Sequence, residues 1–111
     1  MARGEYLGEL EQIVMLAVAR LEGDAYGMSI RREIETRTGR SVAIGAVYST
    51  LERLQDKSFV HAVQPRGDAD RDGRARKFFA VTARGVHALG TAAEMQTRMW
   101  AGLRLTKAGR P

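Results

Sequence analysis

The chain has no cysteine, which excludes disulfides, zinc–thiolate sites, iron–sulfur clusters and a cysteine nucleophile together and suits a reducing compartment. It has only two histidines, His61 and His87, with 25 residues between them and no clustered acid around either. No metal site and no cofactor are therefore expected. No nucleophile stands at a recognisable spacing from a base, and no glycine-rich phosphate loop is present, so the chain does not read as an enzyme. The longest apolar run, from Ile13 to Ala19, falls far short of the roughly 20 residues that span a bilayer. The opening residues bring acids too early for a secretory signal. Neither a membrane anchor nor a signal peptide is expected, and the cytoplasm is the expected compartment. Internal repeats and low-complexity segments are also missing.

What is present fits one domain. A length of 111 residues supports a single core of moderate size, which a second copy would reinforce. The net charge is +5, and it is uneven: residues 1–23 hold two Arg against four acids, whereas residues 81–111 hold five bases against one acid. A basic balance of this kind suits a polyanionic partner.

Along the chain the apolar residues first recur at helical spacing. Leu7, Leu10, Val14, Ala17 and Leu21 form one stripe, widened by Ile13, Met15, Leu16 and Val18. A helix apolar on nearly all sides needs cover nearly all round, which in so small a domain implies a second chain. Glu22-Gly23-Asp24 breaks the pattern. A second helix follows Tyr26, carrying Met28, Ile30 and Ile34 beside Arg31, Arg32 and Arg37, and Gly39 ends it. After a short link with Ser41 and Val42, a third helix is predicted over about 44–57, with Val47, Leu51 and Leu54 inward and Tyr48, Ser49, Glu52 and Arg53 outward. Two short helices joined by a tight link make a helix-turn-helix candidate.

The period then changes. Residues 59–63 and 77–81 read as strands, separated by a stretch from Pro65 to Arg74 too rich in glycine and charge to pack. Thr82 is a plausible N-cap for a last helix of roughly twenty residues, whose apolar residues fall in two stripes: Leu89, Ala93, Trp100 and Leu103, and Ala88, Ala92, Met95 and Met99. One monomer cannot cover both. The expected fold is α+β, mainly α: a winged helix-turn-helix over 1–81, with three helices and a two-stranded wing, a long C-terminal dimerisation helix over 82–105, and a disordered tail over 106–111.

Several anchors stand in the order of a known family. Leu10-Glu11, Ala25-Tyr26-Gly27, Gly45 with Tyr48, Leu51, Arg53 and Leu54, Phe59-Val60, Arg76-Lys77-Phe78-Phe79, and Val81-Thr82 with Gly85 together resemble PadR-family regulators over about residues 7–90. The match departs at Ser58, where the family usually has glycine, and at Ser49, where proline is frequent. The resemblance, closest to the short subgroup with one C-terminal helix, implies a homodimer held by the first and last helices. It also implies a repressor, and release from DNA by a small molecule or stress signal.

The residues define candidate sites on this frame. A helix fits the major groove of double-stranded DNA. The candidate DNA-facing set is Tyr26, Ser41, Ile44, Ala46, Tyr48, Ser49, Arg53, Arg74, Arg76 and Lys77. Two readings stand for the central pair: Tyr48 meets a phosphate and Arg53 a base edge or a phosphate, or Tyr48 packs on the domain while Arg53 pairs with Glu52 or Asp56. Short residues at the helix start allow close amide approach to phosphate. Ile44 and Ala46 would touch thymine methyls, since the helix offers few bidentate readers. The wing tip sets Arg66, Arg71, Arg74, Arg76 and Lys77 against Asp68, Asp70 and Asp72, either a self-neutralising loop or a phosphate contact, for which Arg74 and Arg76 are the better candidates. The candidate dimer interface is Leu10, Val14, Leu89, Ala92, Met95, Met99 and Leu103. Trp100, with Met99, either plugs the dimer core or offers a shelf to a small flat aromatic effector. The expected operator is near-palindromic. The rival function is a winged helix that docks proteins without touching DNA, favoured by the cancelling charges on the third helix.

Overall fold

A computed structural model gives the protein's structure, which describes residues 6–64 and 76–105. The wing tip from Pro65 to Ala75 and the tail from Thr106 onward lie outside the described residues, and with them Arg66, Arg71 and Arg74. The order is α1 (Glu9–Leu21), α2 (Gly27–Thr38), α3 (Ile44–Asp56), β1 (Val60–Val63), β2 (Phe78–Val81) and α4 (Ala83–Trp100). The two strands pair antiparallel, with Val60 opposite Val81 and Val63 opposite Phe78. This is the expected mainly helical winged helix-turn-helix.

The core lies where the three short helices meet the sheet. Val14, Met15 and Val18 of α1, Ile30 and Ile34 of α2, Val47, Leu51 and Leu54 of α3, and Phe59 and Phe79 of the wing are all buried. Burial of such side chains, each contributing on the order of 2 kcal/mol, aligns the stripes read from the sequence. Phe79 donates its amide to the carbonyl of Ala25 at 2.9 Å, which ties the wing to the turn before α2.

Each helix ends for a visible reason. Gly39 closes α2 in the left-handed region (φ 75°), its amide donating to Glu35. At the end of α3 the amide of Phe59 reaches the Leu54 carbonyl and that of Ser58 reaches Gln55, both at 2.9 Å, with Ser58 at φ 63°. This paired 6→1 and 5→2 closure normally recruits glycine at the left-handed position. The serine there is the departure seen in the sequence, and the turn forms with it. The hydroxyl of Thr82 caps α4 by accepting from the Gly85 amide at 3.0 Å and donates to the Ser58 carbonyl at 2.7 Å. Gly85 has no room for a side chain: a Cβ would overlap the Phe59 carbonyl and stand 2.7 Å from Val81 Cγ1.

The last helix is shorter than expected. It stops at Trp100, and Gly102 turns the chain at φ 80°, so Leu103 lies beyond the helix and does not extend its stripe. Along the stripe of Ala88, Ala92, Met95 and Met99 the exposure climbs from 7% at Ala88 to 49% at Met95 and 77% at Met99. The helix runs off its own body with its apolar face uncovered.

Candidate nucleic-acid interface

Tyr26, at the entry to α2, gathers the basic groups. Its ring lies 5.3 Å from that of Phe78, tilted 60°, which fixes it to the base of the wing. The guanidinium of Arg76 stands 4.7 Å from the ring centre and that of Arg32 6.0 Å, both within reach of the cation–π attraction. Arg32 Nη2 also donates to the Tyr26 hydroxyl at 3.0 Å. One aromatic ring thus joins a cation from α2 to a cation from the wing. Lys77, beside Arg76, holds its ammonium 5.8 Å from the Phe79 ring centre.

Tyr48, the next aromatic, is half exposed. Its ring covers Gly27, where a Cβ would come within 2.8 Å of Cε1 and nearer still to the hydroxyl end. It therefore packs on the domain, as one of its two readings expects, while half of its surface stays open to solvent.

The start of α3 is open and small. Ser41 is exposed in the link, and Arg31 Nε secures that link by donating to the Val42 carbonyl at 2.9 Å. Ile44 and Ala46 pack against the core and keep only part of their surface, so neither lies on the outward face. That face is Gly45, Ser49, Glu52 and Asp56, all exposed. Ser49 Oγ turns back to the Ala46 carbonyl at 3.3 Å.

Arg53 departs from one of its two expected readings, and its side chain stays 54% exposed. It does not pair with Glu52 or Asp56. Its Nη2 donates to Thr50 Oγ1 at 3.2 Å and its Nε lies 4.0 Å from Glu11 of α1. Glu11 also accepts from Lys57 Nζ at 2.8 Å and from the Gly8 amide at 2.8 Å. Burial pushes the Glu11 carboxyl up, but the Lys57 hydrogen bond, the Gly8 amide and the charges of Lys57 and Arg53 outweigh it and hold the group below its ordinary value. The same turn of α3 is bonded to α4, since Arg84 Nε donates to the Lys57 carbonyl at 3.1 Å.

Among the expected interface residues, Val14 is wholly buried in its own core and has nothing to offer a second chain. Leu10, Leu89 and Ala92 are half-buried, and Met95 and Met99 are exposed. Leu16, half exposed, is the α1 side chain that faces outward instead. Trp100 is 56% exposed at the end of α4.

Comparison with known proteins now decides the family. The transcriptional regulator PadR-like family matches residues 15–91. The chain belongs to this family. A protein of Lysinibacillus sphaericus described as uncharacterized protein X is 35% identical over 80 residues, 70% of this chain and 69% of that one. The solved PadR-like transcription factor of Bacteroides fragilis superposes with a TM-score of 0.67 at 22% identity, covering 81% of this chain and 82% of the other. The complex structure of hsRosR-SG, RosR being a protein of H. salinarum, gives a TM-score of 0.67 at 22% identity over 92% and 83% of the two chains. This PadR-like protein is a transcriptional regulator and not an enzyme. Among its described residues no helix is long and apolar enough to cross a membrane.

The sequence placed Tyr26, Tyr48 and Arg76 among the candidate site residues, whereas Gly27 and Glu11 stood only as family anchors and Arg32 was outside the candidate set. Arg32 carried no signal, because nothing in a helical spacing joins it to a wing residue. Glu11 did carry one: it is a lone carboxylate beside Leu10, Ile13 and Val14 on an otherwise apolar stripe.

Proposed function

We propose that this regulator binds double-stranded DNA sequence-selectively as a homodimer, is cytoplasmic, and represses transcription from a near-palindromic operator. The observation that carries the reading is the Tyr26 junction, where Arg32 of α2 and Arg76 of the wing stand on one ring beside the open start of α3. Two cations gathered beside a helix that fits the major groove suit the phosphates that border that groove. In a dimer each α3 enters one of two successive major grooves about 34 Å apart. The uncovered face of α4 at Met95, Met99 and Trp100, with Leu16 of α1, supports pairing through the first and last helices. Lys57 and Ser58, bonded at once to α1 and to the start of α4, give those two helices a grip on the end of α3. A small aromatic effector stacked on Trp100 would act through that grip, favouring a spacing that cannot straddle both half-sites.

The test is a fluorescence-anisotropy titration against the DNA upstream of the coding region and against a scrambled duplex, each at two salt concentrations. Tight, salt-sensitive preference for the upstream DNA is expected. Weak binding that ignores salt would favour a protein-docking winged helix.

A further inference from the structure

Gly45, Ser49, Glu52 and Asp56 recur at helical spacing and form the outward ridge of α3. The side chains on its flanks have partners of their own, Tyr48 packing in part on Gly27 and Arg53 reaching Thr50 and Glu11, while each keeps about half of its surface exposed. On the ridge itself, the place of a Gly45 side chain is open space, and the Ser49 hydroxyl is turned to its own helix. Glu52 is thus the longest polar side chain on the ridge, in the third turn of α3, and its carboxylate makes no hydrogen bond or ion pair among the described residues. It stands about 10 Å along the axis from Gly45.

A carboxylate can only accept hydrogen bonds. The major groove offers it two donors, the N4 amino group of cytosine and the N6 amino group of adenine, and adenine sets the N7 acceptor beside its donor, where a carboxylate is repelled. We propose, resting on the DNA-binding reading above, that Glu52 is a base-reading residue that accepts from cytosine N4 at one C·G pair of each half-site. The negative charge sharpens the selection. Opposite guanine or thymine the carboxylate finds no donor, and opposite adenine it meets the N7 acceptor beside the donor, so Glu52 lowers affinity for wrong sites as well as raising it for the right one.

The experiment selects preferred duplexes from a randomised pool with the wild-type protein, then measures affinity for all four pairs at every position of the selected site. Wild type should require C·G at one position per half-site, losing about five- to hundredfold when that pair is changed. Glu52→Ala should lose that requirement alone, with the other positions read as before and affinity for the changed duplexes raised. Glu52→Gln should move the preference toward A·T, because a carboxamide can donate to N7 while accepting from N6. Circular dichroism verifies the fold of both variants. A cytosine requirement retained by Glu52→Ala, or a selected site with no C·G requirement, overturns the assignment of Glu52. Wild-type protein that selects no duplex at all overturns the DNA-binding reading beneath it.

Discussion

The ring of Tyr48 on α3 lies so closely over Gly27 of α2 that a single methyl group at position 27 would overlap it. The contact joins the first residue of α2 to α3. Gly27→Ala should leave the fold intact, because the overlapping atoms are the far end of a half-exposed side chain that can swing away. DNA affinity should fall several-fold as Tyr48 is displaced. Tyr48→Ala should lose a similar factor, and the double variant should lose no more than either alone. Additive losses in anisotropy titrations would mean that the two residues act separately.

Ser58 occupies the left-handed position that ends α3. A side chain there costs roughly 1–2 kcal/mol, part of which glycine gives back through its freer unfolded chain. Ser58→Gly should therefore stabilise the protein by about 0.5–1 kcal/mol, read as a higher urea midpoint. The hydrogen bond from Thr82 goes to the Ser58 carbonyl and survives the substitution. A lower midpoint would show that the serine hydroxyl matters to the turn.

The Glu11 carboxyl is held below its ordinary value of 4.5 in the folded protein. The unfolded chain binds its proton first as pH falls, so the stabilisation is fully present above about pH 4.5 and fades as pH drops through the lower folded value. Glu11→Gln should cost about 1–3 kcal/mol at neutral pH, and the gap from wild type should shrink below pH 4.5. A gap that is unchanged at pH 3 would show that Lys57 does not depend on the charge.

Met99, 77% exposed and next to Trp100 on an uncovered helix, is expected to be covered in the dimer. Met99→Glu should then shift the protein to monomer in analytical ultracentrifugation, because the carboxylate would be buried without a partner. A dimer of unchanged strength would mean that α4 pairs through another face.

Much of this was legible in the chain itself. The spacing of Val47, Leu51 and Leu54 located α3, and the change of period at Phe59 located the wing, because both patterns report burial against a single core. Four features were not legible. Val14 was expected at the interface, but an all-round apolar helix does not say which side its own domain covers, and Val14 lies on the covered side. Leu103 fitted the stripe of α4, yet the left-handed turn at Gly102 ends the helix before it. Arg53 was set against its neighbours Glu52 and Asp56, whereas the carboxylate it approaches is Glu11, 42 residues earlier in sequence, a pairing created only by the packing of α1 on α3. Arg32 and Arg76 likewise meet only through the ring of Tyr26.

The central claim is that this junction holds the phosphate backbone. The most direct measurement is the slope of log affinity against log salt for wild type and for Arg32→Ala combined with Arg76→Ala, on the same duplex. If both cations hold phosphates, the double variant should bind more weakly to every sequence and its slope should flatten by about 2, with circular dichroism unchanged. A slope equal to that of wild type would contradict the account and move the DNA contact away from the Tyr26 junction.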